Sequence, residues 1–235
     1  MRAIAIVGFK KSGKTTLVLA LVQALKKRGL SVAAAKCSES GFDEPETTDT
    51  ARYKKTADAV LGLSDHECYV SWPGRRMLAD LAPLVLAGER GADVLVMEGC
   101  KDVENLPRIV LAKNAEEAEA LGRGLALAVT DQESADPEAL ADLIMEKGFL
   151  LPGFDCESCG REDCGALARE IVAGEATLED CRTKSELISV RLNGRDMPMN
   201  PFTARIISSA IKAMLAELKG FGPGTVEITL DGGKA

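Results

Sequence analysis

Histidine is nearly absent from the chain. The one present, His66 in "SDHECYV", has no partner in the surrounding sequence and reads as a loop or surface residue. Basic residues are in the minority, 29 Lys and Arg against 36 Asp and Glu, and the net charge of -7 is spread along the chain. Without a basic stripe to neutralise a phosphate backbone, nucleic acid is not expected as a partner. Long apolar runs are missing too. The longest, "LVLALVQAL", is far too short to span a bilayer, and "MRAIAIVG" lacks the charged-then-apolar pattern of a leader. The expectation is a cytoplasmic protein without a membrane contact. Cysteines in such a reducing compartment seldom pair as structural disulfides, so the seven here point to metal or redox chemistry. No internal repeat or low-complexity tract is visible.

What is present is a series of strand-then-helix units. The runs "AIAIV", "LSVAAAK", "DVLVMEG", "PRIVLA" and "LALAVTD" are near-continuous apolar strands. Between and after them, "GKTTLVLALVQALKKRG", "RRMLADLAPLVLAG" and "DPEALADLIMEKG" have helical spacing. Such alternation predicts an α/β fold with a mostly parallel sheet covered on both faces. Three parts are expected: a nucleotide-binding domain over 1–148, a small four-cysteine helical module over 149–183, and an α+β module over 184–235. In the last, a hairpin around Asn193 and Gly194 should lead to a helix capped by Asn200, starting at Pro201 and ending at Gly220, with "TVEITL" as a closing strand. The polar, acidic segment 38–58 is long enough for a mobile loop beside a short helix.

"GFKKSGKTT", Gly8 to Thr16, matches G-x-x-x-x-G-K-[ST] between a strand and a helix. Gly8 and Gly13 let the loop, with Lys11 and Ser12, turn its N–H groups toward phosphate oxygens. Lys14 would contact the terminal phosphates, and Thr15, followed by Thr16, would help hold magnesium. Glu98, at the end of "VLVME", sits where ligands collect in open parallel sheets and is a second magnesium candidate. Lys14 and Glu98 are thus the catalytic candidates. Asp43 and Asp49, in the acidic segment, could approach the metal once nucleotide orders it. Arg75 and Arg76 are either phosphate-reaching arginines or a charged helix start. No N-K-x-D is present, so GTP and ATP both stand.

Cys156, Cys159, Cys164 and Cys181 give C-x2-C-x4-C-x16-C. A structural zinc site usually brings two close ligand pairs, and this stretch has one pair and no histidine. Common ferredoxin spacings do not match either. Asp163 can cap a helix running from Cys164 to Gly174, whose unpaired N–H groups would face an anionic cluster. Asp155, Glu157, Glu162 and Asp163 surround the thiols with negative charge, offset only by Arg161, so a bound iron–sulfur cluster should have a low potential.

On "VGFKKSGKTTLVLALVQALKKRGLSVAAAK", "FDEPETTDTARYKKTADAV" and "DVLVMEGCKDVENLPRIVL", about the first 130 residues resemble the molybdopterin-guanine dinucleotide biosynthesis protein B (MobB) family. That resemblance implies a P-loop protein that binds GTP and magnesium, is often a homodimer, and assists the MobA-like nucleotidyltransferase that attaches GMP to molybdopterin. A molybdoenzyme is the other partner it implies. By position it carries phosphate and magnesium binding to Gly13, Lys14, Thr15 and Thr16, the switch-like loop to Asp49, and the magnesium shell to Glu98. Where the family has a histidine-rich segment, this chain has "KCSES" with Cys37, and an aromatic after Glu-Gly is replaced by Cys100. Cys37 and Cys100, with Cys68 as a conceivable third, are read either as small buried cysteines, the preferred reading, or as a second thiolate site beside the nucleotide.

From "LPGFDC" to Cys181, the cysteine stretch resembles the small [4Fe-4S] domain of the Rnf complex B subunit and of corrinoid iron–sulfur proteins. Together the two resemblances imply a slow GTPase carrying a [4Fe-4S] cluster in molybdenum or tungsten cofactor biosynthesis. A nucleotide-gated electron donor with a redox partner, a metallocofactor maturation ATPase, and an adaptor with a structural cluster are the alternatives.

Overall fold

In the computed structural model, the described residues are 2–38, 48–74, 76, 78–86, 91–183, 188–192, 195–197, 199–222 and 224–229. Five parallel strands form the central sheet: β1 (Arg2–Gly8), β2 (Val32–Lys36), β5 (Val94–Glu98), β6 (Arg108–Leu111) and β7 (Ala126–Thr130). Their order is β2-β5-β1-β6-β7. Strand β1 lies in the middle, and Ala3, Ile4, Ala5, Ile6 and Val7 are all fully buried. That is why its sequence runs apolar without the alternation of a half-exposed strand.

The two faces differ in residue size. Ile4, Ile6, Val94, Val96, Ile109 and Leu111 point to one side. There they meet Leu17, Leu21 and Leu25 of α1 (Lys14–Lys27) and Ala141 and Ile144 of α5 (Pro137–Lys147). On the other side Ala3, Ala5, Val7 and Met97 pack against Leu106, and against Leu121 of α4 (Ala115–Gly122). Removing a large side chain from the first face, as in Ile6→Ala, costs about 2–5 kcal/mol. Helix α1 starts directly from the glycine loop, and Lys26 and Lys27 sit in its last turn, where the dipole favours positive charge.

Beyond α5 the chain builds a third apolar cluster from Leu125, Phe149, Leu151, Leu167 and Ala168. Helix α6 (Cys164–Ala173) runs over it, starting at an Asp163 cap and stopping at Gly174, as its local signals predict. A 3-10 turn, Leu178–Asp180, follows. Helix α7 (Pro201–Ala216) begins at the expected Asn200 cap, whose side chain accepts from Thr203 N–H.

Several expectations change. Helix α7 stops at Ala216 rather than Gly220, because the last turn tightens and Leu218 N–H donates to Leu215 O. Residues 225–229 are not a strand: among the described residues none pairs with them, and Val226 and Ile228 are both 47% exposed. The hairpin of the third part does form, as β8 (Arg191–Leu192) and β9 (Arg195–Asp196), although its turn, Asn193 and Gly194, lies outside the described residues. An antiparallel pair, β3 (Val60–Leu63) and β4 (Cys68–Ser71), comes between α2 (Asp49–Thr56) and α3 (Leu78–Leu86) and was not expected, nor was α4. Among the described residues no helix is long and apolar enough to cross a membrane.

Candidate functional site

The glycine loop is held in shape before any ligand is considered. Gly13 has φ of 85° and Lys11 has φ of 64°, so the backbone passes twice through the left-handed region between β1 and α1. A Cβ on Gly8 would lie 2.3 Å from Ser12 Oγ and 3.0 Å from Leu111 O, and one on Gly13 would meet the Gln132 side chain at 2.9 Å. Larger residues therefore do not fit at either glycine. Ser12 N–H donates to Phe9 O at 3.3 Å, which closes the turn, while Lys14 Nζ folds back onto Phe9 O.

Thr15 and Glu98, 83 residues apart, meet at the mouth of this loop. The Thr15 hydroxyl lies 3.0 and 2.9 Å from the two carboxylate oxygens of Glu98 and donates to one of them at a time. Register explains the encounter: Ile6 of β1 pairs with Glu98, so the last residue of β5 reaches the level at which α1 begins. Lys36, level with Glu98 on β2, places its Nζ 3.6 Å from Glu98 Oε1. Lys101 holds its ammonium 4.9 Å above the Phe9 ring. Burial pushes the Lys14 ammonium below the usual lysine range, Glu98 opposes this, and Lys101 and Lys36 add to it. Lys36 beside the Glu98 carboxylate, with Lys14 and Lys101 close enough to act on one another, makes a corner suited to an anion carrying a divalent cation. Sequence reading missed Lys36, Lys101 and Gln132, although Lys36 directly precedes Cys37 at a strand end.

Next to this corner an open cleft of about 470 Å³ lies between the ends of β6 and β7, lined by Lys113, Asn114, Thr130, Asp131 and Ser134 among others. The Ser134 hydroxyl, with the backbone N–H groups of Ser134 and Glu133, holds the Asp131 carboxyl below the usual carboxylate range.

Other candidates lie elsewhere. Thr16, on the first turn of α1, is exposed. Asp49 is exposed at the start of α2 and pairs with Arg52 of its own helix at 3.4 Å. Asp43 and Arg75 lie outside the described residues. Arg76 places its guanidinium over Trp72, 5.3 Å from the ring centroid. His66 is exposed in the β3–β4 turn, its N–H donating to Ser64 Oγ.

Cys37 and Cys100 are neither a pair of buried thiols nor an open thiolate site: they are joined as a disulfide, with Cα atoms 5.0 Å apart. The parallel register that levels Lys36 with Glu98 brings both strand ends together. Gly99, at φ of 82°, and Cys100, at φ of 57°, then turn the chain back toward Cys37. Cys68 stays free and exposed on β4.

Cys156, Cys159, Cys164 and Cys181 are all free and half-buried. Three of them, Cys159, Cys164 and Cys181, pack against the cluster of Leu125, Phe149, Leu151, Leu167 and Ala168. Asp155, Glu157 and Gly160 all have positive φ, so the loop coils ahead of α6. Asp155 Oδ1 accepts from Cys164 N–H at 2.8 Å, and Asp163 Oδ1 accepts from Ala166 N–H. Burial pushes the Cys164 thiol up, opposed by the backbone N–H groups of Asp155 and Gly153. Among the described residues no three Cys, His, Asp or Glu side chains stand close enough together to hold a metal ion. The donor chemistry, four free sulfurs of which three border one apolar cluster, fits an iron–sulfur group, while their spacing is that of a site not drawn together.

The two regions touch. Glu104, six residues beyond Glu98, binds Arg169 of α6 at 2.8 Å and Arg123 at 3.0 Å. Asn105 and Leu151 exchange hydrogen bonds, Leu151 N–H to Asn105 O and Asn105 Nδ2 to Leu151 O. The fully buried Arg108 donates to Lys101 O, Val103 O and Leu121 O, which fixes the segment between them.

Comparison with known proteins gives two family matches: "Molybdopterin guanine dinucleotide synthesis protein B" over residues 3–131 and "Putative Fe-S cluster" over residues 151–183. A curated relative from Methanocaldococcus jannaschii, a "Putative molybdopterin-guanine dinucleotide biosynthesis adapter protein", is 28% identical over 98% of both chains. The chain is also similar to the crystal structure of Bacillus subtilis MobB, with 22% identity, 63% of this chain and 99% of that chain covered, and a TM-score of 0.49. For a MobB homologue from Bacillus stearothermophilus the figures are 26%, 52%, 70% and 0.39.

Proposed function

The chain belongs to the molybdopterin guanine dinucleotide synthesis protein B family, and on that premise we propose that it is a GTP- and magnesium-binding adapter in molybdenum or tungsten cofactor biosynthesis, carrying a [4Fe-4S] cluster. The observation that carries this reading is the meeting of Thr15 and Glu98 at the mouth of the glycine loop. In that corner the loop N–H groups and Lys14 would take the phosphates. Thr15 and Glu98 would hold magnesium, which supplies charge neutralisation at the terminal phosphates. Lys36 adds positive charge beside Glu98, and Lys101 adds it beside Lys14. The base is assigned to the cleft beside Gln132, where the ionised Asp131 suits the donor edge of guanine. The adapter role follows the Methanocaldococcus jannaschii relative, which matches over 98% of both chains, and the partner it implies is a MobA-like nucleotidyltransferase. Cys156, Cys159, Cys164 and Cys181 would ligate the cluster, which supplies one-electron chemistry at low potential.

A second reading, a nucleotide-gated electron carrier, is favoured by one observation: the segment after Glu98 is bonded to the cysteine helix through Glu104 and Arg169. A cluster potential that shifts when magnesium and nucleotide bind would support it.

Equilibrium binding of fluorescent GTP and ATP analogues, with and without magnesium, tests the main reading. GTP should bind more tightly than ATP, and Glu98→Gln should remove the dependence on magnesium. Equal affinity would strike out the base assignment, and binding of neither would overturn the whole reading.

A further inference from the structure

The disulfide between Cys37 and Cys100 takes no part in the phosphate site or the four-cysteine module, and its two halves differ sharply in access. Cys37 is exposed at the end of β2, whereas Cys100 is 3% exposed and packs with Leu106, Met97 and Val7. An external thiolate can therefore reach only one sulfur. The bond also joins chain ends already held side by side, since Cys37 N–H donates to Glu98 O at 3.0 Å and Gly99 N–H to Ile6 O at 2.9 Å. Opening it need not unfold the sheet.

We propose that Cys37–Cys100 is a thiol-exchange site for a dithiol reductant, attacked at Cys37, and that its opening releases the segment from Gly99 to Leu106. In the first step the dithiol's thiolate bonds to Cys37 Sγ while the Cys37–Cys100 bond breaks, and the electron pair leaves on Cys100 sulfur, which takes up a proton. In the second, the dithiol's other thiolate attacks its own sulfur bound to Cys37. That frees Cys37 as a thiol and leaves the reductant as a cyclic disulfide, two electrons having passed to the protein. A monothiol is a poor substitute. Cys100 stays beside Cys37 at high effective concentration and expels the monothiol by closing the bond again. The acceptor of the buried Cys100 S–H is in place, Glu98 O at 3.8 Å.

The consequence for the protein lies in what Cys100 anchors. On one side it is two residues from Glu98, and on the other it opens the segment that Arg108 holds through Lys101 O and Val103 O and that Glu104 ties to α6. The bond is thus a covalent link between this segment and the end of β2.

The test uses the full chain under native, anaerobic conditions, with isotope-coded alkylation resolved by peptide and with amide hydrogen exchange. Dithiothreitol should expose both cysteines, glutathione at equal thiol concentration should open the bond at least about ten-fold less, and amides within 99–106 should exchange faster once it is open. In Cys100→Ser, Cys37 should trap an aromatic disulfide reagent, while in Cys37→Ser the remaining Cys100 should stay unreactive. The wild-type readouts stand alone if either variant misfolds. A bond that opens only in denaturant, glutathione acting as well as dithiothreitol, or opening without faster exchange in 99–106 would each overturn the proposal.

Discussion

The phosphate corner and the cysteine module are built in opposite ways. In the corner every participant is fixed by the sheet or by the loop itself: register sets Glu98 against Thr15, and Ser12 and Lys14 both bond back to Phe9 O. In the module, α6 and its Asp163 cap are fixed, but the four thiols, three of them against an apolar cluster, are not gathered. Backbone hydrogen bonds can complete an anion site on their own, whereas a thiolate site needs its metal to complete the geometry. The corner should therefore be indifferent to loss of iron, and the module should not.

The largest effect expected from this contrast follows iron removal. Bound metal in a small module contributes on the order of 10 kcal/mol, so chelation or Cys156→Ala should make residues 151–183 protease-sensitive while nucleotide affinity is kept. Lys14→Ala should do the reverse. Loss of a charge-assisted hydrogen bond costs about 1.5–3 kcal/mol, read as roughly ten- to hundred-fold weaker nucleotide binding with iron content unchanged.

Legibility in the sequence follows the same division between local and distant causes. Helix α6 could be read to the residue because Asp163, Cys164 and Gly174 are neighbours in sequence and each signal acts over one turn. The glycine loop was equally local. The pairing of Cys37 with Cys100 was not: it depends on the parallel register of β2 against β5 across 63 residues, which no spacing reveals. Strand β3 escaped notice because its outward-facing Leu61 and Leu63 are as apolar as the inward-facing Val60, and exposed Tyr69 and Val70 do the same on β4, so the apolar–polar alternation that marks a half-buried strand is missing. Asp49 stands at the start of α2 and pairs with Arg52 of its own helix.

Smaller effects sharpen the contrast. Asp163→Ala removes the α6 cap and should cost about 1 kcal/mol, seen as faster iron release with no change in nucleotide affinity. Glu104→Gln should cost a few tenths of a kcal/mol, since its partners are half-exposed. Burial raises the Glu104 carboxyl, but Arg169 and Arg123 more than offset this and hold it below the usual glutamate range. Its contribution is therefore present above the ordinary glutamate pKa and is lost as pH falls through the lowered one. The difference in melting temperature between Glu104→Gln and the wild type should close in acid and persist at neutral pH.

The most direct measurement is iron and acid-labile sulfide analysis with electron paramagnetic resonance on anaerobically purified protein, with and without magnesium and GTP. A [4Fe-4S] module predicts about four irons and four sulfides per chain and a reduced-state signal, with nucleotide retained after the iron is stripped. Zinc in place of iron, or a phosphate site that fails once the cluster is gone, would contradict it.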